Sequence, residues 1–470
     1  VRASKEGAKS VLRTVLDRSQ GRPATFAPER WHLTATESAG LALRGVALTD
    51  LLERWGSPLF AVDFERLRDN VTAFRHVPPG DDRGCEVFYS YKTNPVEGVL
   101  RALHADGVGA EVISAYELWL ARRLGVHPER IVFNGPGKSD DSIRDAIERG
   151  VEIINLNHRE EIARVAAIAR SLGRRVRVGL RIGTEEGWSA QFGTPVADGR
   201  ALAAFEEALA NDSLHVVGLH AHRGGMIRTA SELASFVRSV LAFIEVVEGR
   251  LGRSLEILNF GGSLGLATVA GLDERARKLN QTFHRDLPLP SAEGTLDVKH
   301  YVELLLSMVN AHYQAKGQRR PRVFVEPGRA MTGNTQLLLA RVMTTKDLGS
   351  VKFAILDAGI NIAESVRSEY HQVFSVTRHS ASRRRVHTLV GPICSPGDTL
   401  YPAIRLPDLV PGDSLAIMDA GAYFVPFSTS FSFPRPAIVG VAGGEVSLVR
   451  RRETFEDLVR CDEALGAPAH

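Results

Sequence analysis

From residue 86 the chain alternates short apolar runs with longer stretches whose apolar residues recur at helical spacing. The runs are Glu86–Tyr91, Val108–Ile113, Ile131–Asn134, Val151–Asn155, Val176–Ile182, Val216–His222, Leu255–Phe260 and Arg322–Glu326. Between them, segments such as Glu160–Ile168 place Ile162, Val165, Ala166 and Ile168 on one helical face. Eight strand–helix units over about 250 residues predict an α/β fold, a (β/α)8 barrel. After residue 335 the rhythm shortens. Gln336–Met343, Lys352–Leu356, Arg385–Val390, Ser414–Met418 and Ala437–Val441 follow one another with Gly, Pro and Asp turns. That spacing predicts a C-terminal antiparallel β domain, a sandwich or barrel. Residues 1–55 read as a polar helical extension and linker, broken by Gly21, Pro23 and Pro28. The expected barrel domain is then 56–335 and the β domain 336–470, with Leu59–Val62 as a partner strand for the latter. Residues 266–300, polar and proline-rich, read as a loop or lid.

A chain of 470 residues has room for a barrel and a second domain. Its 44% hydrophobic and 24% charged content is that of a soluble globular protein. With 58 basic against 55 acidic residues, the charge excess is too small to point to nucleic acid. Arg383–Arg385 and Arg450–Arg452 read as solvated loop or strand-edge charge. No run approaches the roughly 18 apolar residues a membrane span needs, and no signal-peptide core stands near the start. Cys85, Cys394 and Cys461 are too far apart for a disulfide framework or a cysteine zinc site. A reducing cytoplasm and no metal are the expectations.

Polar residues gather at the ends of the predicted strands, where a barrel presents its ligand site. Strand one delivers Lys92 just before Asn94-Pro95, strand two carries Glu111, and strand three ends at Asn134-Gly135-Pro136-Gly137. Strand four ends in Asn155, strand five contains Arg181, and strand six ends His220-Ala221-His222. Strand seven runs into Asn259-Phe260-Gly261-Gly262-Ser263, and strand eight ends Glu326-Pro327-Gly328-Arg329. A lysine so placed, if desolvated or set beside another cation, can attach an aldehyde cofactor covalently; the plain alternative is a solvated strand cap. Gly261-Gly262-Ser263 can cradle a phosphate with backbone N–H groups, and Arg329 can add a charged fork. Glu326 can hold a pyridinium nitrogen protonated, and His222 can stack on the ring.

These residues resemble the fold-type III pyridoxal-phosphate amino-acid decarboxylases, which include diaminopimelate, ornithine and arginine decarboxylases. The likeness spans roughly residues 56–445. It rests on Tyr-Lys-Thr-Asn-Pro (91–95), His-Ala-His (220–222), Gly-Gly-Ser-Leu-Gly (261–265), Glu-Pro-Gly-Arg (326–329), Gly-Pro-Ile-Cys (391–394) with Asp398, and Gly-Ala-Tyr (421–423). The resemblance implies pyridoxal 5'-phosphate carried on Lys92, with His222 on the ring face and Glu326 at the ring nitrogen. Gly261, Gly262, Ser263, Gly328, Arg329 and Tyr423 would serve the phosphate, with Arg181 nearby. It further implies α-decarboxylation of an amino acid, Cys394 returning the proton to Cα, since a thiol titrates near neutral pH. Family members are typically head-to-tail homodimers that share active sites.

Three departures bear on the substrate. The family's acidic reader of a distal ammonium, directly after the cysteine, is Ser395. Arg367 and Tyr370, candidates for contacting the substrate, are out of register with the family's distal-carboxylate readers. The hydroxyl usually found at 225 is absent, while the third glycine of the Gly-rich turn is Ser263. The expectation is a diaminopimelate-decarboxylase-like enzyme whose substrate carries a non-standard distal group, an amino acid or amino-acid conjugate. The alternatives are a true diaminopimelate decarboxylase of lysine biosynthesis, a catalytically silent regulatory homologue, or an amino-acid racemase.

Overall fold

The structure is a computed structural model that describes residues 25–36, 40–186, 191–291, 293–349, 351–379 and 384–463. Residues 1–24 of the expected N-terminal extension and Arg383 lie outside the described residues. The chain divides into two compact units. One gathers the residues up to Glu65, Thr268–Pro290 and the chain from Asn334 onward; the other is Arg66–Ala267 with Ser291–Gly333.

The second unit is a closed barrel of eight parallel strands. These are Glu86–Ser90, Gly109–Val112, Ile131–Phe133, Ile153–Leu156, Val176–Gly183, Leu214–Ala221, Ile257–Asn259 and Arg322–Val325, the last pairing back onto the first. Buried on both faces, they are rich in Val, Ile and Phe, as parallel strands must be. Several of the helices between them start on side-chain caps. Ser114 and Ser139 accept from the backbone N–H three residues on, and Thr229 with Glu232 forms a capping box for Ala230–Leu251. Phe88, Val132, Ile153, Val217, Ile257 and Phe324 fill the interior, with the Phe88 and Phe324 rings 4.5 Å apart. Register sets neighbouring polar residues level: Arg181 pairs with His220, and His220 with Asn259. Gly179 leaves room for Asn155, since a Cβ there would meet the Asn155 Oδ1 at 2.2 Å.

The first unit is a mostly antiparallel sheet. Leu59–Asp63 lies within it, antiparallel to Gln336–Leu339 and parallel to Ala437–Val441. A second parallel pairing joins Lys352–Ile355 to His387–Val390. Three strands have no counterpart in the expected set: Val373–Ser375, Thr399–Pro407 and Glu445–Arg450. Thr399–Pro407 contains two prolines, which a sheet tolerates because this strand lies at its edge. Glu445–Arg450 closes the other edge, where Arg450 begins the expected charged run and Arg451 pairs with Asp457.

Two expectations are corrected. Residues 25–55 are not a linker: they fold into three short strands and the helix Leu48–Trp55. Trp31, Leu33, Leu41, Leu43, Leu48, Leu51 and Leu52 join one core with Leu337, Leu339 and Val439, and Trp31 Nε1 donates to Asp419 Oδ1 at 2.8 Å. Nor is 266–300 loop throughout, although most of its described residues lie outside helix and strand. Asp273 caps the helix Glu274–Phe283, and this stretch docks on its own unit through Leu272 N–H to Ser368 O and Asn280 Nδ2 to Ala403 O. Among the described residues no helix is long and apolar enough to cross a membrane.

The interior of the barrel makes a direct prediction. Phe324→Ala removes a fully buried ring and is expected to cost about 3–5 kcal/mol in a denaturant titration. A loss below about 1 kcal/mol would place Phe324 outside the load-sharing core.

Candidate active site

Lys92 sits in a single 3-10 turn, Tyr91–Thr93, immediately beyond the first barrel strand. Its Nζ lies 3.3 Å from Glu111 Oε2; the lysine side chain is 38% exposed and the glutamate fully buried. Glu111 Oε2 also accepts the Ser90 hydroxyl at 2.6 Å, and its Oε1 accepts Asn134 Nδ2 at 2.9 Å. The same Asn134 amide donates to Glu326 Oε1 at 2.8 Å, where Asn259 Nδ2 also donates at 2.6 Å. Asn155 Nδ2 donates to Asn134 Oδ1 and so fixes which way that amide faces. One polar chain thus runs from Lys92 through Glu111 and Asn134 to Glu326, across the ends of four strands.

Glu326 is 3% exposed. Burial works against its ionisation, but the His220 imidazole (Nε2 3.4 Å from Oε2), the Asn134 amide and the Lys92 ammonium outweigh it. Its carboxyl is held well below the ordinary range. Glu117, in the first turn of Ala115–Arg123, goes the other way. Burial, then the neighbouring Glu111, push it up to about 7, although its Oε2 accepts the Ile113 N–H at 2.8 Å.

The Gly-rich turn faces His222. A Cβ on Gly261 would meet His222 Nδ1 at 2.5 Å, and one on Gly262 would meet Glu326 O at 2.4 Å, so both positions require glycine. Gly262 N–H donates to His222 Nδ1 at 3.2 Å, and Ser263 Oγ lies 3.1 Å from Nε2. Burial, then Arg181 and Lys92, hold the His222 pKa well below its usual value. Arg181 itself lies over the Phe192 ring, 4.8 Å from its centroid. Gly328 packs on Thr93, where a Cβ would meet the hydroxyl at 2.1 Å, and half-buried Arg329 opens the short helix Arg329–Thr332. The barrel unit therefore brings Lys92, Arg181, His222, Gly261, Gly262, Ser263, Glu326, Gly328 and Arg329 to its strand ends.

The remaining candidates belong to the sheet unit. Cys394 and Ser395 are exposed on the loop between Arg384–Val390 and Thr399–Pro407. Asp398, 2% exposed, holds that loop: Oδ1 accepts the Ile360 N–H and Oδ2 the Ile393 N–H, both at 2.8 Å. Gly391 approaches so closely that a Cβ would meet Gly359 Cα at 2.2 Å. Arg367 is exposed and paired with Glu364 at 3.2 Å. Tyr370 turns inward and donates its hydroxyl to Gln372 Oε1 at 3.0 Å. Tyr423, at φ +68°, stacks on Phe427 with centroids 6.1 Å apart.

Residues 65–333 match the family described as "Pyridoxal-dependent decarboxylase, pyridoxal binding domain". The chain belongs to the pyridoxal-dependent decarboxylases. It is a pyridoxal-phosphate-dependent carboxy-lyase acting on an amino acid. It is 30% identical to the diaminopimelate decarboxylase of Methanothermobacter thermautotrophicus over 440 residues, covering 91% of this chain and 96% of that protein. Against the Aquifex aeolicus enzyme of the same name it is 28% identical over 433 residues, 89% and 94% of the two chains. Among solved structures, diaminopimelate decarboxylase from M. jannaschii in complex with L-lysine superposes with a TM-score of 0.80 at 25% identity, over 92% of this chain and 98% of that one.

The donor set fits the cofactor. A buried carboxyl kept ionised suits a protonated ring nitrogen, an amine stands at the mouth for the aldehyde, and a turn that admits no side chain at Gly261 or Gly262 suits a phosphate. His220, His222 and Glu326 form the one group of three metal-capable side chains drawn together among the described residues. The two His222 nitrogens already face Gly262 N–H and the Ser263 hydroxyl. Asn134, Asn155 and Asn259 stood at strand ends in the sequence without a task, and Glu117 gave no signal. Strand-end phase identifies such residues, but the carboxylate each one serves is fixed only by the closed barrel.

The depressed Glu326 pKa carries a sign. Its contribution to stability is complete above the unfolded value near 4.5 and is lost as pH falls below it. Glu326→Gln is therefore expected to lower stability at pH 7 and to flatten the acid limb below about pH 4.5, read by denaturant melts across pH. An unchanged acid limb would show that Glu326 is not held ionised.

Proposed function

We propose that this decarboxylase acts on an amino acid or amino-acid conjugate whose distal group is not the ammonium-bearing centre of free diaminopimelate. The observation that carries this is the Cys394 loop. Position 395 is a serine, and the loop's one carboxylate, Asp398, spends both oxygens on backbone N–H groups. A substrate ammonium brought here would find no acidic partner in this loop, and an unpaired buried charge costs several kcal/mol. Arg367 is likewise engaged by Glu364, and Tyr370 by Gln372.

Residue roles in this reading follow the geometry of each unit. When bound, pyridoxal phosphate supplies the electron sink for the pair left by the departing carboxylate. Lys92 anchors it, and Glu111 orients the lysine amine. Glu326, steadied by Asn134 and Asn259, would hold the ring nitrogen, and His222 would pack on the ring. Gly261, Gly262, Ser263, Gly328, Arg329 and Tyr423 serve the phosphate, with Arg181 adding positive charge. Cys394 returns a proton to Cα, helped by its exposure. Cys394 acts from the sheet unit of a second copy in a homodimer. Exposed Phe427, Phe431 and Phe433 beside Tyr423 support such a partner surface.

A second reading, diaminopimelate decarboxylation itself, is favoured by relatives of that name covering about nine-tenths of the chain. Carbon dioxide release across a panel of amino acids and conjugates separates the two. The proposal expects kcat/KM for meso-diaminopimelate at least about 100-fold below that for a panel member without a distal ammonium. Efficient turnover of meso-diaminopimelate as the preferred substrate would overturn it in favour of the second reading.

A further inference from the structure

Ser263 occupies a backbone conformation that side chains avoid. Its φ is +76°, in the left-handed region where glycine is at home, and it directly follows two glycines that cannot be replaced. The backbone around it is clamped: Ile227 N–H donates to Ser263 O at 2.7 Å, and Gly265 N–H to Ile227 O at 2.9 Å. A side chain kept against that preference has work to do.

The hydrogen bonds show what the work is. Gly262 N–H can only donate, so His222 Nδ1 is the acceptor at 3.2 Å. A neutral imidazole accepting at Nδ1 carries its proton on Nε2. The 3.1 Å contact between Nε2 and Ser263 Oγ is then an N–H donation to the hydroxyl oxygen. Gly224 N–H donates to the same oxygen at 3.1 Å. Both lone pairs of Oγ are thus taken, and the hydroxyl hydrogen is left to donate. It belongs to a turn whose neighbours are glycines, where an anion with three acceptor oxygens would be cradled.

We infer that Ser263 is a positioning residue with two linked tasks: it accepts the Nε2–H of the neutral His222 tautomer that the Gly262 N–H selects, so fixing the ring's direction, and it keeps its hydroxyl hydrogen for the cofactor phosphate. A glycine would suit the backbone better and do neither. The inference rests on the pyridoxal-phosphate site described above and adds the state of the histidine and the direction of the serine proton. It also makes the two glycines and the serine one device: the first two admit the anion, and the third supplies a donor without narrowing the turn.

The test uses full-length apo protein and three samples: wild type, Ser263→Ala and Ser263→Gly. Imidazole 15N spectra of the wild type are expected to show His222 protonated on Nε2 alone between pH 6 and 8, and both variants the same tautomer with a shifted Nε2 signal, the hydroxyl acceptor being gone. Equilibrium binding of pyridoxal phosphate is expected to weaken at least about tenfold in both variants, while binding of pyridoxal, which lacks the phosphate, changes less than twofold. A wild-type His222 protonated on Nδ1 overturns the inference whether or not the variants fold. Equal affinities for pyridoxal phosphate, or equal losses for both ligands, also overturn it, since a merely structural serine would give one or the other. Wild-type protein that binds neither ligand refutes the cofactor site itself, a distinct failure that takes the inference with it.

Discussion

Two buried glutamates joined by one amide organise the barrel mouth. Asn134 donates to both Glu111 and Glu326, and neither glutamate has water to solvate it. Removing a carboxylate from water costs several kcal/mol even after relaxation, so each needs donors fixed by the fold. Glu326 takes Asn134, Asn259 and the neighbouring His220; Glu111 takes Ser90, Asn134 and Lys92. Those donors stand on four different strands or strand ends, which only the closed barrel brings together. In the proposed role of Glu326 the arrangement matters, because a carboxylate at a ring nitrogen is useful only while it stays charged. Glu117 shows the contrast: with one backbone donor and a glutamate for a neighbour, its pKa rises to about 7.

Much of this was legible in the sequence. The eight apolar runs mark the eight barrel strands to within about two residues, because strands buried on both faces leave continuous hydrophobic segments. Lys92, Glu111, Asn134, Asn155, Arg181, His222, Asn259 and Glu326 fall at corresponding ends of those runs. What the sequence withheld is the pairing among them. Asn134 could have served any neighbour until Asn155 fixed its orientation. The N-terminal segment was misread for a different reason. Strands of four residues or fewer, such as Leu33–Thr36 and Gly40–Leu43, carry too little alternation to outweigh Gly and Pro breakers. In Thr399–Pro407 the prolines argued against a strand, and an edge position removes that objection. Residues 266–300 read as a loop or lid because the helix Glu274–Phe283 is mostly polar, burying only Asn280.

The sheet unit has its own organising contact. Asp398 ties the Cys394 loop to the Gly359 turn through two backbone N–H groups, and Gly359 and Gly391 leave no room for a side chain between them. This fixes the loop that carries the cysteine while removing its carboxylate from any role toward substrate. In the proposed reading, conserving the reaction and changing its target need no change of fold: the barrel mouth would hold the cofactor, and the serine at 395 would alter what the far end of a substrate meets.

The central claim is that the strand-end cluster forms one pyridoxal site anchored on Lys92. The direct measurement is borohydride reduction of the protein incubated with pyridoxal phosphate, followed by peptide mass mapping. The account predicts a single phosphopyridoxyl group on Lys92, absent from a Lys92→Ala variant that still folds. Label distributed over surface lysines, or located at another lysine such as Lys138, would contradict it.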